Sequence, residues 1–374
     1  MRGRISALVL TVVFTFPLFA PTVIAEWETD TWISNVIGPE RLENGDEFGC
    51  HGYEGVDTLE ENWVIQACRD YIVGLTNSSK WGREPISFGI KSNHVDPTTV
   101  NQLIRSGFMI VGDSLDTEVQ GLISFSRNGG SLEKGVANIG ILESADEDSL
   151  ISIYWRARVG DLRVRDDPEV ISWLENQQVW FTTWGEWYLH SIASEATSIQ
   201  SEGSSLISSS VNYYQDRTLW KVPGTTRLLF ENNVISVQDS IGQELNLISP
   251  DSRKLEIGWR PIEGGMILTQ PPGTNITIEL DGEPAESSSI PMATFNGLHH
   301  AVTVVGHQTS NLFRWTQDFS DSELVFTWLI ERPIAEPISW IMPIVAISIL
   351  IAVPASIYYL VNKDRDIISN SLKV

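Results

Sequence analysis

The chain is 374 residues long and carries 25 lysine and arginine residues against 48 aspartate and glutamate, a net charge of −23. A field of that sign repels nucleic acid and anionic lipid headgroups; it suits solubility in salty surroundings or the capture of cations. The length is enough for a sizeable core and predicts two domains more readily than one. The first element is MRGR followed by ISALVLTVVFTFPLFA and PTVIA. A basic start, a short apolar stretch and a small-residue end have the layout of a secretory signal over residues 1–25, with Val23 and Ala25 at the cleavage site. Pro17 and the shortness of the apolar stretch argue against an uncleaved anchor.

The chain has two cysteines, Cys50 and Cys68. In an extracytoplasmic setting such a pair predicts a disulfide, worth about 3 kcal/mol by loop closure. The alternative is a metal site of Cys50, His51 and Cys68, which lacks a fourth ligand and a standard spacing. Residues 57–73 predict a helix, with Asp57 and Glu60 at capping-box spacing and Leu59, Trp63, Ala67 and Tyr71 along one stripe. PISFGI follows as a strand. Asp96-Pro97 then opens a second helix, with Asp96 as cap and proline at the first helical position. Gly107 ends it before the strand FMIV. VQGLISFS, GVANIGIL and LISIYWRARV predict three more strands.

The strand FMIV runs into Gly-Asp-Ser-Leu, and FMIVGDSLDTE resembles the nucleophile block of the GDSL (SGNH) hydrolases. The resemblance spans about ten residues. It implies an esterase with Ser114 as nucleophile. The family's Asp-x-x-His and Gly-x-Asn-Asp blocks have no counterpart here, and a serine without its base is not activated at neutral pH. The alternative is a strand ending in an ordinary Gly-Asp turn.

Asp167-Pro168-Glu169 announces another helix start, and residues 167–215 predict one or two helices joining two domains, although SEGSSLISSS is poor in helix formers and VWFTTWGEWYL reads equally as a hairpin. Trp173, Trp180, Trp184 and Trp187 crowd this stretch. Exposed, they are candidate ligand-binding aromatics that stack on sugars or peptides; buried, they fill a core. From residue 219 to 333, short β-like runs, among them GMILTQ, NITIEL, AVTVVGHQ, NLFRWTQ and ELVFTWLIE, recur between turn residues, the spacing of an antiparallel sandwich. Asn77 and Asn275 open glycosylation sequons. His94 with Asp96 and the set His299, His300 and His307 are considered as metal ligands and set aside, because Asp96 serves as a helix cap beside a loop histidine and adjacent strand residues point to opposite faces; the acidic run at 143–149 lacks the calcium-loop order and reads as a solvated turn, with weak calcium binding as the alternative.

Residues 340–361 carry no charge. At 1.5 Å per residue they cover about 33 Å, enough for a hydrocarbon core. Trp340 at one end and Tyr358 and Tyr359 near the other suit the two interfaces. Leaving out Arg2, Arg4, Lys363, Arg365, Lys373, Asp364 and Asp366, the part outside the membrane has a net charge of about −26. The predicted organisation is therefore a signal peptide (1–25), an α+β membrane-distal domain (26–165), a helical or Ser-rich connector (166–217), an all-β antiparallel sandwich beside the membrane (218–335), a transmembrane helix (340–361) and a cytoplasmic tail (362–374). The expected protein is a single-pass cell-membrane protein, its ectodomain outside, held by the lipid bilayer. Its expected role is binding, adhesion or envelope structure, with surface glycans or envelope proteins as partners. No cofactor or metal is expected, and Ser114 hydrolysis is the alternative.

Overall fold

The computed structural model describes residues 39–115, 117–132, 137–156, 168–212, 219–307, 322–332 and 341–371. The expected signal sequence, the run NLFRWTQ and Trp340 lie outside the described residues. The elements in order are α1 (Pro39–Asn44), β1 (Glu47–Tyr53), α2 (Trp63–Leu75), β2 (Ser87–Ile90), α3 (Pro97–Arg105), β3 (Ile110–Asp113), β4 (Ile123–Ser126), α4 (Ile139–Glu143), β5 (Leu150–Arg156), α5 (Pro168–Glu175), β6 (Trp180–Phe181) and α6 (Trp184–Glu195). Then come β7 (Thr197–Glu202), β8 (Ser205–Ser210), β9 (Gly224–Leu229), β10 (Val234–Asp239), β11 (Gly258–Ile262), β12 (Gly265–Gln270), β13 (Asn275–Leu280), β14 (Ser288–Pro291), β15 (Ala301–His307), β16 (Phe326–Arg332) and α7 (Ile341–Ser371).

Seven strands pair in the order β4-β3-β2-β1-β16-β15-β5, with the short β6 also beside β15. Every one of these pairings is parallel. The sheet bends until its two edges nearly meet. The chain after β4 lies along β5, where the Gly129 and Leu132 amides donate to the Ser152 and Tyr154 carbonyls at 3.0 and 2.9 Å. The Arg127 guanidinium lies 3.6 Å above the centre of the Tyr154 ring across the same gap. The result is a nearly closed, barrel-like sheet.

This corrects the expected fold class. The last two strands, β15 and β16, are not the end of a separate antiparallel sandwich; β16 sits between β1 and β15 in the middle of the parallel sheet. The reason is visible in burial. All seven residues of β1 and of β16 are buried, as in a sheet covered on both faces. One face packs on helices: Phe48, Phe88, Val111, Ile153, Val304 and Trp328 share a core with Val64, Ile65 and Ile72 of α2 and Leu103 of α3. The opposite face lines the inside of the barrel, where Ile110, Val305 and Leu329 meet Trp184 at the start of α6.

The antiparallel strands are an insertion between α6 and β15. They make two small sheets, β10-β13-β8-β7 and β11-β12-β9-β14. Both contribute to a third core, with Leu206, Leu228, Val237, Leu268 and Ile278 at its centre. The Ser-rich stretch expected to be helical is the hairpin β7–β8, turning at Gly203 with a φ of 62°. GVANIGIL, expected as a strand, supplies the short helix α4, capped by the Asn138 side chain on the Ile141 amide. Helix α3 begins as expected, with Asp96 accepting from the Thr98 and Thr99 amides. Helix α2 begins at Trp63 rather than at residue 57.

Helix α7 belongs to a unit of its own, residues 334–374. Its segment Pro343–Asn362 spans 20 residues with a mean hydropathy of 2.3, long and apolar enough to cross a membrane.

Candidate functional site

Because the barrel strands all run the same way, their carboxyl ends share one rim. The rim gathers charged side chains: His51 near the end of β1, Lys91 just after β2, Asp113 at the end of β3, Arg127 just after β4, and Glu331 and Arg332 at the end of β16. In parallel sheets this is the end where ligands and catalytic groups gather.

His51 is central. Its ring is buried, with Nε2 2.7 Å from Asp113 Oδ2 and Nδ1 4.0 Å from Glu331 Oε2. Three local features place it there. The β1–β16 register slips between Cys50 and Gly52, so His51 sits at a bulge. Gly52 takes a φ of 97°, which a side chain would oppose. Gly89, across on β2, leaves room for the ring: a Cβ there would come within 2.2 Å of His51 Cδ2. The Cys50–Cys68 disulfide, present as expected, ties this bulge to α2.

Asp113 also departs from regular strand geometry. Strict alternation along β3 would turn its carboxylate to the helix-covered side with Val111. Instead its φ is 80°, an uncommon and strained conformation for a non-glycine residue. The carboxylate then meets both His51 and Arg127; Arg127 Nη2 forms an ion pair with Asp113 Oδ1. On the other side of His51, Lys91 Nζ pairs with Glu331 Oε1 at 2.6 Å and donates to the Tyr53 carbonyl at 3.3 Å. The Arg332 guanidinium donates to the Tyr71 hydroxyl at 3.2 Å.

The burial of these groups is graded. The Asp113 and Glu331 side chains are 1% and 5% exposed, while those of Arg127 and Lys91 are 28% and 38% exposed. The anions are held inside and the cations are turned outwards. A groove of about 580 Å³ lies against Lys91, walled by residues 55–59 and 90–92.

The sequence-predicted candidates fall mostly elsewhere. Ser114 is on this rim, but its hydroxyl faces Arg127 Nη2 at 3.3 Å, and the nearby His51 commits Nε2 to Asp113. The guanidinium that donates to Ser114 cannot take its proton. Trp180 and Trp184 are fully buried, and Trp173 and Trp187 are half-buried. Trp184 stacks on Phe125 and donates to Ser152 Oγ at 2.9 Å, a core role. Asn77 and Asn275 are exposed. His94 is an exposed loop residue. His299 and His300 bring their Nδ1 atoms to 3.1 Å of each other, because they precede β15 and escape strand alternation. Among the described residues no three histidine, cysteine or acidic side chains are grouped to hold a metal ion.

Sequence reasoning missed Lys91, Arg127 and Glu331, and met His51 only as a possible metal ligand. A signal was present: in GIKSN, VGDS, SFSRN and WLIER a strand-like run passes into a charged residue. At the opposite end of the barrel, Glu47 accepts from the Gly185 amide at 2.8 Å, and Glu186 accepts from Thr182 Oγ1 at 2.9 Å. Burial raises the pKa of both carboxyls, partly offset for Glu47 by Ser87 and for Glu186 by Lys80. Comparison with family models, with curated proteins and with solved structures finds no match.

Proposed function

We propose that this chain is a membrane-tethered surface protein whose barrel rim binds an anionic ligand through Lys91 and Arg127. The observation that carries the reading is the graded burial of the rim: two partly exposed cations, each anchored by a buried carboxylate, on either side of His51. Such anchoring fixes the cations in place before a ligand arrives, which lowers the ordering cost of binding. The surrounding charge of the chain is strongly negative, but at physiological salt it is screened beyond about 8 Å. The charges that bear on a bound anion are therefore those of the rim itself, Lys91, Arg127 and Arg332 against Asp113 and Glu331. The apolar helix supports a tether through residues 340–361, with the barrel outside the cell and residues 362–374 in the cytoplasm.

The test is equilibrium binding of the detergent-solubilised full-length chain to labelled anionic trimers (oligouronate, oligoglutamate and oligophosphate) at physiological salt. At least one trimer binds saturably, and Lys91→Met weakens it by about tenfold or more, the worth of a charge-assisted hydrogen bond. Lys91→Arg retains most of the affinity. Failure of all three trimers to bind, or binding indifferent to Lys91→Met, overturns the reading.

A further inference from the structure

The groove beside Lys91 has an aromatic neighbour. Trp63, the first residue of α2, is 38% exposed, the only tryptophan among the described residues to be that open. Its ring packs against Tyr53 with centroids 6.5 Å apart. Tyr53 is also the residue whose carbonyl accepts from Lys91 Nζ. Ring and ammonium thus both touch Tyr53, and residues 55–59, which line the groove with Ile90, Lys91 and Ser92, lead from that strand end to Trp63, which itself lies outside the lining.

We propose that the groove binds an acidic oligosaccharide, with a sugar carboxylate on Lys91 and one sugar ring against Trp63; this rests on the anion-binding reading above. An ammonium has three N–H donors. Glu331 and the Tyr53 carbonyl take two, which leaves a third for a ligand carboxylate. A tryptophan at the fixed start of a helix offers a flat apolar face that loses little freedom on binding. The volume of about 580 Å³ suits a ligand on the order of two or three sugar rings.

The remaining groove chemistry selects sugar over a denser anion. Asp57, Thr58 and Ser92 line the wall. Asp57 is exposed, and its carboxylate accepts from the Leu59 amide at 2.9 Å. A carboxylate and two hydroxyls are partners for sugar hydroxyls, and the Asp57 charge opposes a ligand that is negative at every unit. An oligosaccharide with an isolated carboxylate satisfies both conditions, whereas polyphosphate or polyglutamate meets repulsion.

The experiment is binding of the full-length chain, in detergent, to a trisaccharide carrying one uronate, to its carboxyl-reduced neutral form, and to triglutamate. The acidic trisaccharide binds best, and the neutral form is weaker by about tenfold or more. Trp63→Ala weakens the acidic trisaccharide by about five- to tenfold, and Trp63→Phe recovers part of the loss. Unfolding temperatures of the variants identify any that fail to fold, and Trp63→Phe then carries the comparison. If triglutamate binds as well as the trisaccharide and depends on Lys91, the glycan assignment falls while the anion site stands. If the neutral sugar binds as well as the acidic one, the role of Lys91 falls for both. If Trp63→Ala binds the acidic trisaccharide normally, the aromatic platform is wrong.

Discussion

Two buried carboxylates and one buried imidazole set opposite pH dependences on this fold. Glu47 is buried inside the barrel, and burial raises its pKa above the ordinary 4.5. In the window above 4.5 the folded state holds a proton that the unfolded state has released, so stability from this group is full at low pH and declines as pH rises through the raised value. Glu186 behaves likewise, its rise also led by burial. His190 runs the other way: burial lowers its pKa from 6.5 to about 3. Its contribution is present above 6.5 and is lost as pH falls towards 3, because only the unfolded imidazole takes up the proton. Glu47→Gln keeps the shape and removes the buried charge. Its unfolding temperature, measured from pH 5 to 8, should fall less steeply with pH than that of the parent chain. A parallel pair of curves would remove Glu47 from the account.

Among the elements, the link between β1 and α2 matters most for the site. The disulfide joins Cys50, beside the bulge that carries His51, to Cys68 on the buried side of α2. It holds the helix against a strand that is weakened by Gly49 and Gly52, residues that add no side-chain packing. Cys50→Ser with Cys68→Ser is expected to cost about 3 kcal/mol in denaturant unfolding. Anion binding should weaken along with it, because α2 supplies Trp63 and the loop leading into α2, residues 55–59, walls the groove. Unchanged binding in a clearly destabilised variant would show that the groove does not depend on this staple. The β7–β8 hairpin teaches a different lesson about elements. In SLISSS, Leu206, Ser208 and Ser210 face inwards in strict alternation. That period of two marks a strand, and serine's low helix propensity points the same way.

At the scale of the whole molecule, the barrel is assembled from distant parts of the chain. β16 lies between β1 and β15, so 280 positions of sequence separate the partners that pair as Glu47 with Thr327. Hydrogen bonds follow the same route: Asp46, paired locally with Arg41, accepts from the Phe326 amide and the Trp328 indole. A fragment of residues 39–212 therefore lacks β16 and β15, the two strands that join β1 to β5. Expressed alone, it should give no cooperative thermal transition and a collapsed near-ultraviolet spectrum. A sharp transition in that fragment would mean that the first half folds as an independent domain.

What the sequence determined by itself was local or compositional. The net charge, the apolar run that became α7, the cap at Asp96 and the cysteine pair all depend on neighbouring residues or simple counts. The charged ends of GIKSN, VGDS and WLIER were equally visible, but their meaning was not. Whether Lys91, Asp113 and Glu331 face one another depends on which strands pair and in which direction, and pairing is a contest between distant segments whose outcome no local pattern carries. Tertiary structure alone decided that β15 and β16 enter a parallel barrel, that a positive φ turns Asp113 towards His51, and that the tryptophans of residues 173–187 are buried or half-buried while Trp63 stays open. The physical reason is that burial on both faces rewards a parallel arrangement only when helices from elsewhere in the chain cover it.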